Sequence, residues 1–210
     1  MSRDMAAVLT GDIVASRRAT RDRLDAGIAA LDAAADVFGH LHDMTLRFTR
    51  YRGDGWQVVI DRPALALRAM IFLHARLRSD VPGLDTRIAA GFGAAELGDG
   101  PDLSASTGAA FFASGEALDT AGDRRFVISG HPVAHWPETV VTLLDAIVSD
   151  WTAAQAEAAA IDVAEHLIQA DIADKIGITR QAVQQRLAGA KIGAVKDAIG
   201  TFEQTFGQNT

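Results

Sequence analysis

The sequence has no cysteine, five prolines and a single tyrosine. Without cysteine there is no disulfide framework, no thiolate metal site and no cysteine nucleophile. Long apolar runs are missing as well. The densest segment, Ala64 to Leu77, is interrupted by Arg68 and His74, so no membrane span is expected. The first residues, MSRDMAAVLTGD, carry Asp4 and run into an apolar stretch, which fits neither a secretory signal nor a basic targeting peptide; a cytoplasmic location is expected. Basic residues are outnumbered. A formal net charge of −7 disfavours a general polyanion binder, because non-specific nucleic-acid affinity comes from lysine and arginine on phosphates, and leaves only a local basic patch for DNA. Apolar residues are abundant: 49% of 210 positions suffices for one large domain or for a medium domain plus a small one.

Two stretches organise the chain, Ala7 to Arg17 (AVLTGDIVASR) and Arg50 to Ile60 (RYRGDGWQVVI). Each sets an aspartate, Asp12 or Asp54, directly after a glycine at the end or bend of an apolar segment. Carboxylates presented this way suit Mg²⁺, which keeps several waters and takes one or two carboxylates plus the phosphates of a substrate; the matching ligand is a nucleoside triphosphate. The alternative makes Asp12 a helix-proximal cap and Asp54 an ordinary hairpin-turn residue.

The pattern along the chain predicts a strand over Ala6 to Thr10, ended or bent by Gly11-Asp12, with Ser16 capping an amphipathic helix that carries Leu24, Ile28, Leu31 and Phe38. Met44 to Arg52 and Trp56 to Ile60 read as a hairpin with Asp54 at its tip. Asp61 and Pro63 open a second helix, Thr86 to Phe92 is a strand, Gly93 to Asp102 a loop, Ser106 to Leu118 a helix and Arg125 to Ser129 a last strand. This order fits an α+β, ferredoxin-like palm: an antiparallel sheet with helices on one face, in which Asp12 and Asp54 meet at one end. His131 to Pro137 reads as a connector, Glu138 to Phe206 as short helices and Gly207 to Thr210 as a frayed tail. The expected division is 1–130 palm, 131–150 connector and linking helix, 151–210 a small all-α unit.

GDIVASR, RGDGWQ, RIAAGFG and STGAAFFASGEALD, in this order and spacing, resemble class III nucleotide cyclases over the first three-fifths of the chain. Nearly the whole chain is similar to SatD-like bacterial proteins, which join a cyclase-like palm to a C-terminal helix-turn-helix. The resemblance implies that Asp12 and Asp54 hold the metal, that the turn from Ile13 to Arg17 receives phosphate with Ser16 at a helix start, and that Arg17 or Arg18 clamps it. It places a base-reading residue near Arg50. The pattern's transition-state asparagine and arginine fall on Phe112 and Glu116, which cannot stabilise charge developing on phosphorus, so an active cyclase is not expected.

Gln169 to Leu187, QADIADKIGITRQAVQQRL, has the spacing of a helix-turn-helix. Ile172 and Ala173 face inward, Gly177 allows a turn of positive φ, Ile178 and Val183 close a small core, and Thr179 caps the second helix. That helix exposes Arg180, Gln181, Gln184 and Gln185 to base edges, while Lys175, Arg186, Lys191 and Lys196 are available for phosphates. A three-helix module serving dimerisation, or docking on the palm, is the competing reading. Thr152 is expected to cap the leading helix, with Ile161, Ala164, Leu167 and Ile168 as packing residues. His40, His42, His131 and His135 have metal-like spacings without acidic partners and read as loop and surface residues.

Together these features point to a cytoplasmic homodimeric regulator: a palm that binds a nucleotide with Mg²⁺, and a helix-turn-helix that binds DNA. The alternatives are a nucleotide-processing enzyme using Asp12 and Asp54, and a non-catalytic dimerisation scaffold.

Overall fold

The computed structural model describes residues 5–100, 102–130, 135–165 and 167–207; the expected connector start with His131, and the last three residues of the expected tail, lie outside them. The strands are β1 (Met5–Ile13), β2 (Phe48–Tyr51), β3 (Gly55–Ile60), β4 (Thr86–Ala94) and β5 (Phe126–Gly130). The helices are α1 (Arg21–Leu41), α2 (Ala66–Asp80), α3 (Ala109–Thr120), α4 (His135–Val148), α5 (Ala153–Glu165), α6 (Gln169–Ile176), α7 (Arg180–Gly189) and α8 (Ile192–Gly207).

The expected α+β sheet is present, in the order β2-β3-β1-β4-β5, with β1 flanked antiparallel by β3 and β4. Two features refine the expectation. The sheet is mixed, because β4 and β5 run parallel, as a strand–helix–strand crossover through α3 requires. The helices also lie on both faces. Alternation along the strands sends Ala7, Leu9, Trp56, Val58, Ile88, Phe92 and Phe126 into the main core with α1 and α2, while Val8, Val59, Ala89 and Val127 face the α3 side.

β1 does not end at Gly11-Asp12. It continues to Ile13, so Asp12 is a strand residue paired with Gly55 on one side and Arg87 on the other. Gly11 is required by packing: a Cβ there would lie 2.4 Å from the Trp56 ring. Ser16 is not the cap of α1. It opens a short 3-10 turn over Ser16–Arg18 with no side-chain cap, and Thr20 caps α1 by accepting from the Arg23 N–H. Ser16 sits four residues too early because the strand runs on past the glycine and a turn must follow it.

The C-terminal helices do not form a layer of their own. Ala156, Ala159, Ala160 and Val163 of α5 are continuous with the palm core, as are Val195, Ile199, Phe202 and Phe206 of α8. Alanines allow α5 to approach α2 closely. Phe92 of β4 meets the stacked rings of Phe202 and Phe206. Arg68 of α2 bonds both Glu203 carboxylate oxygens and also donates to the Val163 carbonyl. A small satellite core of Ala158, Ile172, Ala173, Val183 and Leu187 holds the helix-turn-helix itself.

Candidate functional site

At the end of β1 a cleft of about 560 Å³ is lined by Asp12 to Arg18, Asp54, Arg87, Gly122, Asp123 and Arg125. Asp12, Ile13, Ser16, Arg17 and Arg18, singled out in the sequence, therefore meet Asp54 from the β2–β3 hairpin. The strand register brings them together: the Ile13 N–H donates to the Asp54 carbonyl at 3.1 Å and the Val14 N–H to the Asp85 carbonyl at 2.9 Å. Those two amides are thereby spent. Beyond them Ala15 adopts a left-handed conformation, φ 54° and ψ 32°, just ahead of the 3-10 turn. A left-handed residue followed by a helical one turns successive N–H groups inward as an anion-binding nest. Among the described residues the N–H groups of Ala15, Ser16 and Arg17 have no backbone partner. The exposed side chains of Arg17 and Arg18 flank them.

The carboxylates differ in their surroundings. Arg87 lies opposite Asp12 in the sheet and grips it with two donors, Nε at 2.9 Å from Oδ1 and Nη2 on Oδ2. The hydrogen bond to Asp12 is the main cause that raises the Arg87 pKa, so this guanidinium stays charged. Asp54 has no side-chain partner among the described residues and is half-buried. No group of three His, Asp or Glu side chains suited to a metal occurs among the described residues. Two carboxylates nevertheless fit Mg²⁺ when phosphate oxygens and waters complete the shell. With Asp12 occupied by Arg87, the donor set suits a cation that arrives with a phosphate, which draws Arg87 to itself, better than a free cation.

Behind the cleft lies Asp85. Its Oδ1 accepts from the Thr86 N–H at 2.9 Å and lies 2.9 Å from Nε2 of the fully buried His74, while its Oδ2 meets Arg125 at 2.8 Å and Arg78 at 3.3 Å. Nδ1 of the His74 ring has no hydrogen-bond partner among the described residues. Burial by itself would raise the Asp85 carboxyl; the contacts and charges of His74 and Arg125 outweigh it and hold the pKa at about 2.

Other expected site residues fall elsewhere. Arg50 is turned away, bonded to the Gly53 carbonyl and to Asp25 at 2.7 Å. Phe112 and Glu116 line a separate groove with Met5, Phe92 and Ser129.

The helix-turn-helix has the local chemistry its sequence calls for. Gly177 is left-handed at φ 68°, ending α6, and the Thr179 hydroxyl caps α7 by accepting from the Ala182 N–H at 3.2 Å. Thr152 and Gln155 form a reciprocal capping box at the start of α5. Arg180, Gln181, Gln184 and Gln185 are exposed and make no side-chain bond among the described residues. The expected phosphate contacts are different. Lys175 pairs with Glu165, Arg186 with Glu157 and Lys196 with Asp162, so α5 clamps each of the three helices that follow it with one ion pair. Lys191 is exposed and has no such partner among the described residues.

Sequence reasoning missed Arg87, Asp85, Asp123 and Arg125. Only strand register puts Arg87 opposite Asp12, and nothing in the local sequence carries that signal. Compared with known proteins, the chain matches no family model and no curated protein. Among the described residues no helix is long and apolar enough to cross a membrane.

Proposed function

We propose that this chain is a cytoplasmic regulator whose cleft binds a nucleotide through its phosphates together with Mg²⁺, and whose α6–α7 unit binds DNA as part of a homodimer. One observation carries the reading. A backbone nest, two carboxylates and the guanidinium groups of Arg17, Arg18, Arg87 and Arg125 converge on one cleft, a donor set matched to an anion that brings its own cation. On the DNA side, support comes from the capped, exposed α7 with its unpaired Arg and Gln side chains, the residue types that read guanine and adenine edges. Pairing of two such units matches paired half-sites. Turnover is not part of the proposal, because Phe112 and Glu116 supply no positive charge to a transferring phosphoryl group.

Calorimetric titration with ATP and GTP, with and without Mg²⁺, tests the cleft. The expected result is Mg²⁺-dependent binding that weakens at least about tenfold in Asp54→Asn, and no measurable binding of Mg²⁺ alone. Absence of binding by both nucleotides overturns this half of the reading. Selection from random-sequence DNA tests the other half: a two-fold symmetric consensus is expected, with Arg180→Ala losing about 1 to 3 kcal/mol of discrimination at one position per half-site.

A further inference from the structure

We propose that Asp85 couples the cleft to the recognition helix by sharing one carboxylate oxygen between Arg125, which lines the cleft, and Arg78, which holds the segment anchoring the end of α7. The inference rests on the reading of the cleft as a phosphate site and names how that site is regulated.

The connection is built from contiguous bonds. Arg125 Nε donates to Asp85 Oδ2 at 2.8 Å, and Arg78 Nη1 approaches the same oxygen at 3.3 Å. The second amino group of Arg78, Nη2, donates to the Trp151 carbonyl at 2.5 Å. The Trp151 indole N–H, fully buried, donates to the carbonyl of Ala190 at 2.9 Å, and Ala190 is the C-cap of α7. Gln155, four residues on from Trp151 in the same corner, packs against Gly189 in the last turn of that helix.

The parts that can move are limited. Asp145 accepts from the backbone N–H groups of Arg125 and Phe126 at 2.7 and 2.9 Å, so the Arg125 main chain is fixed and only its guanidinium can swing. Oδ1 of Asp85 is held by the Thr86 N–H and its carbonyl by the Val14 N–H, so the carboxylate stays in place as well. Oδ2 therefore accepts from two guanidinium groups at once, closely from Arg125 and slackly from Arg78, so loss of the first leaves the carboxylate charge to the second. A phosphate in the cleft draws Arg125 away; Arg78 then closes on Oδ2 and leaves the Trp151 carbonyl. The anchor on Ala190 loosens and the recognition helix loses a fixed end. Filling the cleft lowers DNA affinity, and by linkage DNA lowers affinity for the cleft ligand by the same factor.

The test measures hydrogen exchange of the Ala190 and Lys191 amides, which bond to the Arg186 and Ala188 carbonyls. It is done by NMR on the full chain, with inorganic tripolyphosphate and Mg²⁺ as the probe and calorimetry reporting cleft binding separately. The ligand is expected to speed exchange at these two amides by about fivefold or more. Arg78→Gln and Trp151→Phe, neither of which lines the cleft, should bind the probe at least as tightly as the parent, since the anchor that binding must loosen is already gone, yet exchange fast with or without it. Binding by the parent with no change in exchange overturns the coupling and leaves the cleft reading intact. A response that persists in both variants also overturns it, since the signal then travels elsewhere. Failure of the probe to bind at all, repeated with ATP and Mg²⁺, removes the cleft reading and the coupling with it.

Discussion

The cleft and the α7 surface are both rich in polar groups, but they spend them differently. At the floor of the cleft the charges already have protein partners, Asp12 on Arg87 and Arg125 on the Asp123 carbonyl and on Asp85 just behind, while Arg17, Arg18 and Asp54 at its mouth have none among the described residues. On α7, Arg180, Gln181, Gln184 and Gln185 face water without one among the described residues, and of the basic residues that could have joined them Lys175, Arg186 and Lys196 are tied to α5 while Lys191 is not. The first surface is tied to the network that stabilises the fold, so changing its inner residues costs stability. The second hangs on a small core and a cap, so its face can be changed at little structural cost.

The largest effect expected is at Asp85. Replacing it with alanine leaves Arg78 and Arg125 without their counter-charge beside the buried His74 ring, and urea unfolding at neutral pH should show a loss of about 3 kcal/mol. The pH dependence follows the same group. Its folded pKa, about 2, lies below the ordinary 3.8, so its contribution of about 2 kcal/mol is complete above pH 4 and disappears as pH falls towards 2. Acid unfolding curves of the parent should show that component and those of Asp85→Ala should lack it. Next comes Gly11→Ala, whose Cβ collides with the Trp56 ring; a loss of about 1 to 3 kcal/mol is expected in thermal or urea unfolding, together with weakened cleft binding. Thr179→Ala removes the α7 cap and should cost about 1 kcal/mol. Smallest in stability is Arg180→Ala, expected within about 0.5 kcal/mol of the parent in unfolding while losing about 1 to 3 kcal/mol of base discrimination on DNA. If Arg180→Ala unfolds as readily as Asp85→Ala, the contrast between the two surfaces is wrong.

Local chemistry was legible in the sequence; meetings between distant segments were not. Gly177 and Thr179 mark the turn and cap of the helix-turn-helix because each acts on its own backbone, and the hairpin around Asp54 follows from Gly53-Asp54-Gly55 for the same reason. The convergence of Asp12 and Asp54 could be inferred from a hairpin lying beside β1. Arg87 opposite Asp12 could not, since a one-residue change of register would have put another side chain there. Glycine before aspartate suggested a bend at Gly11, yet its reason is the indole of a residue 45 positions later, at Trp56. The alanine bias of α5 was visible as composition, while its meaning, a helix pressed close on α2 as part of the palm core, depends on a partner far away in the chain.

That shared core also bears on how the protein is made. Phe202 and Phe206 complete the apolar layer around Phe92, and Glu203 supplies the counter-charge for Arg68 on the first half's second helix. Domains that fold as units during synthesis bury their apolar surface as soon as they emerge. Here a nascent chain holding every strand already has α1, α2 and α3 to lay on the sheet but still lacks the helix that closes over Phe92, so that apolar corner stays open until residue 206 has been added.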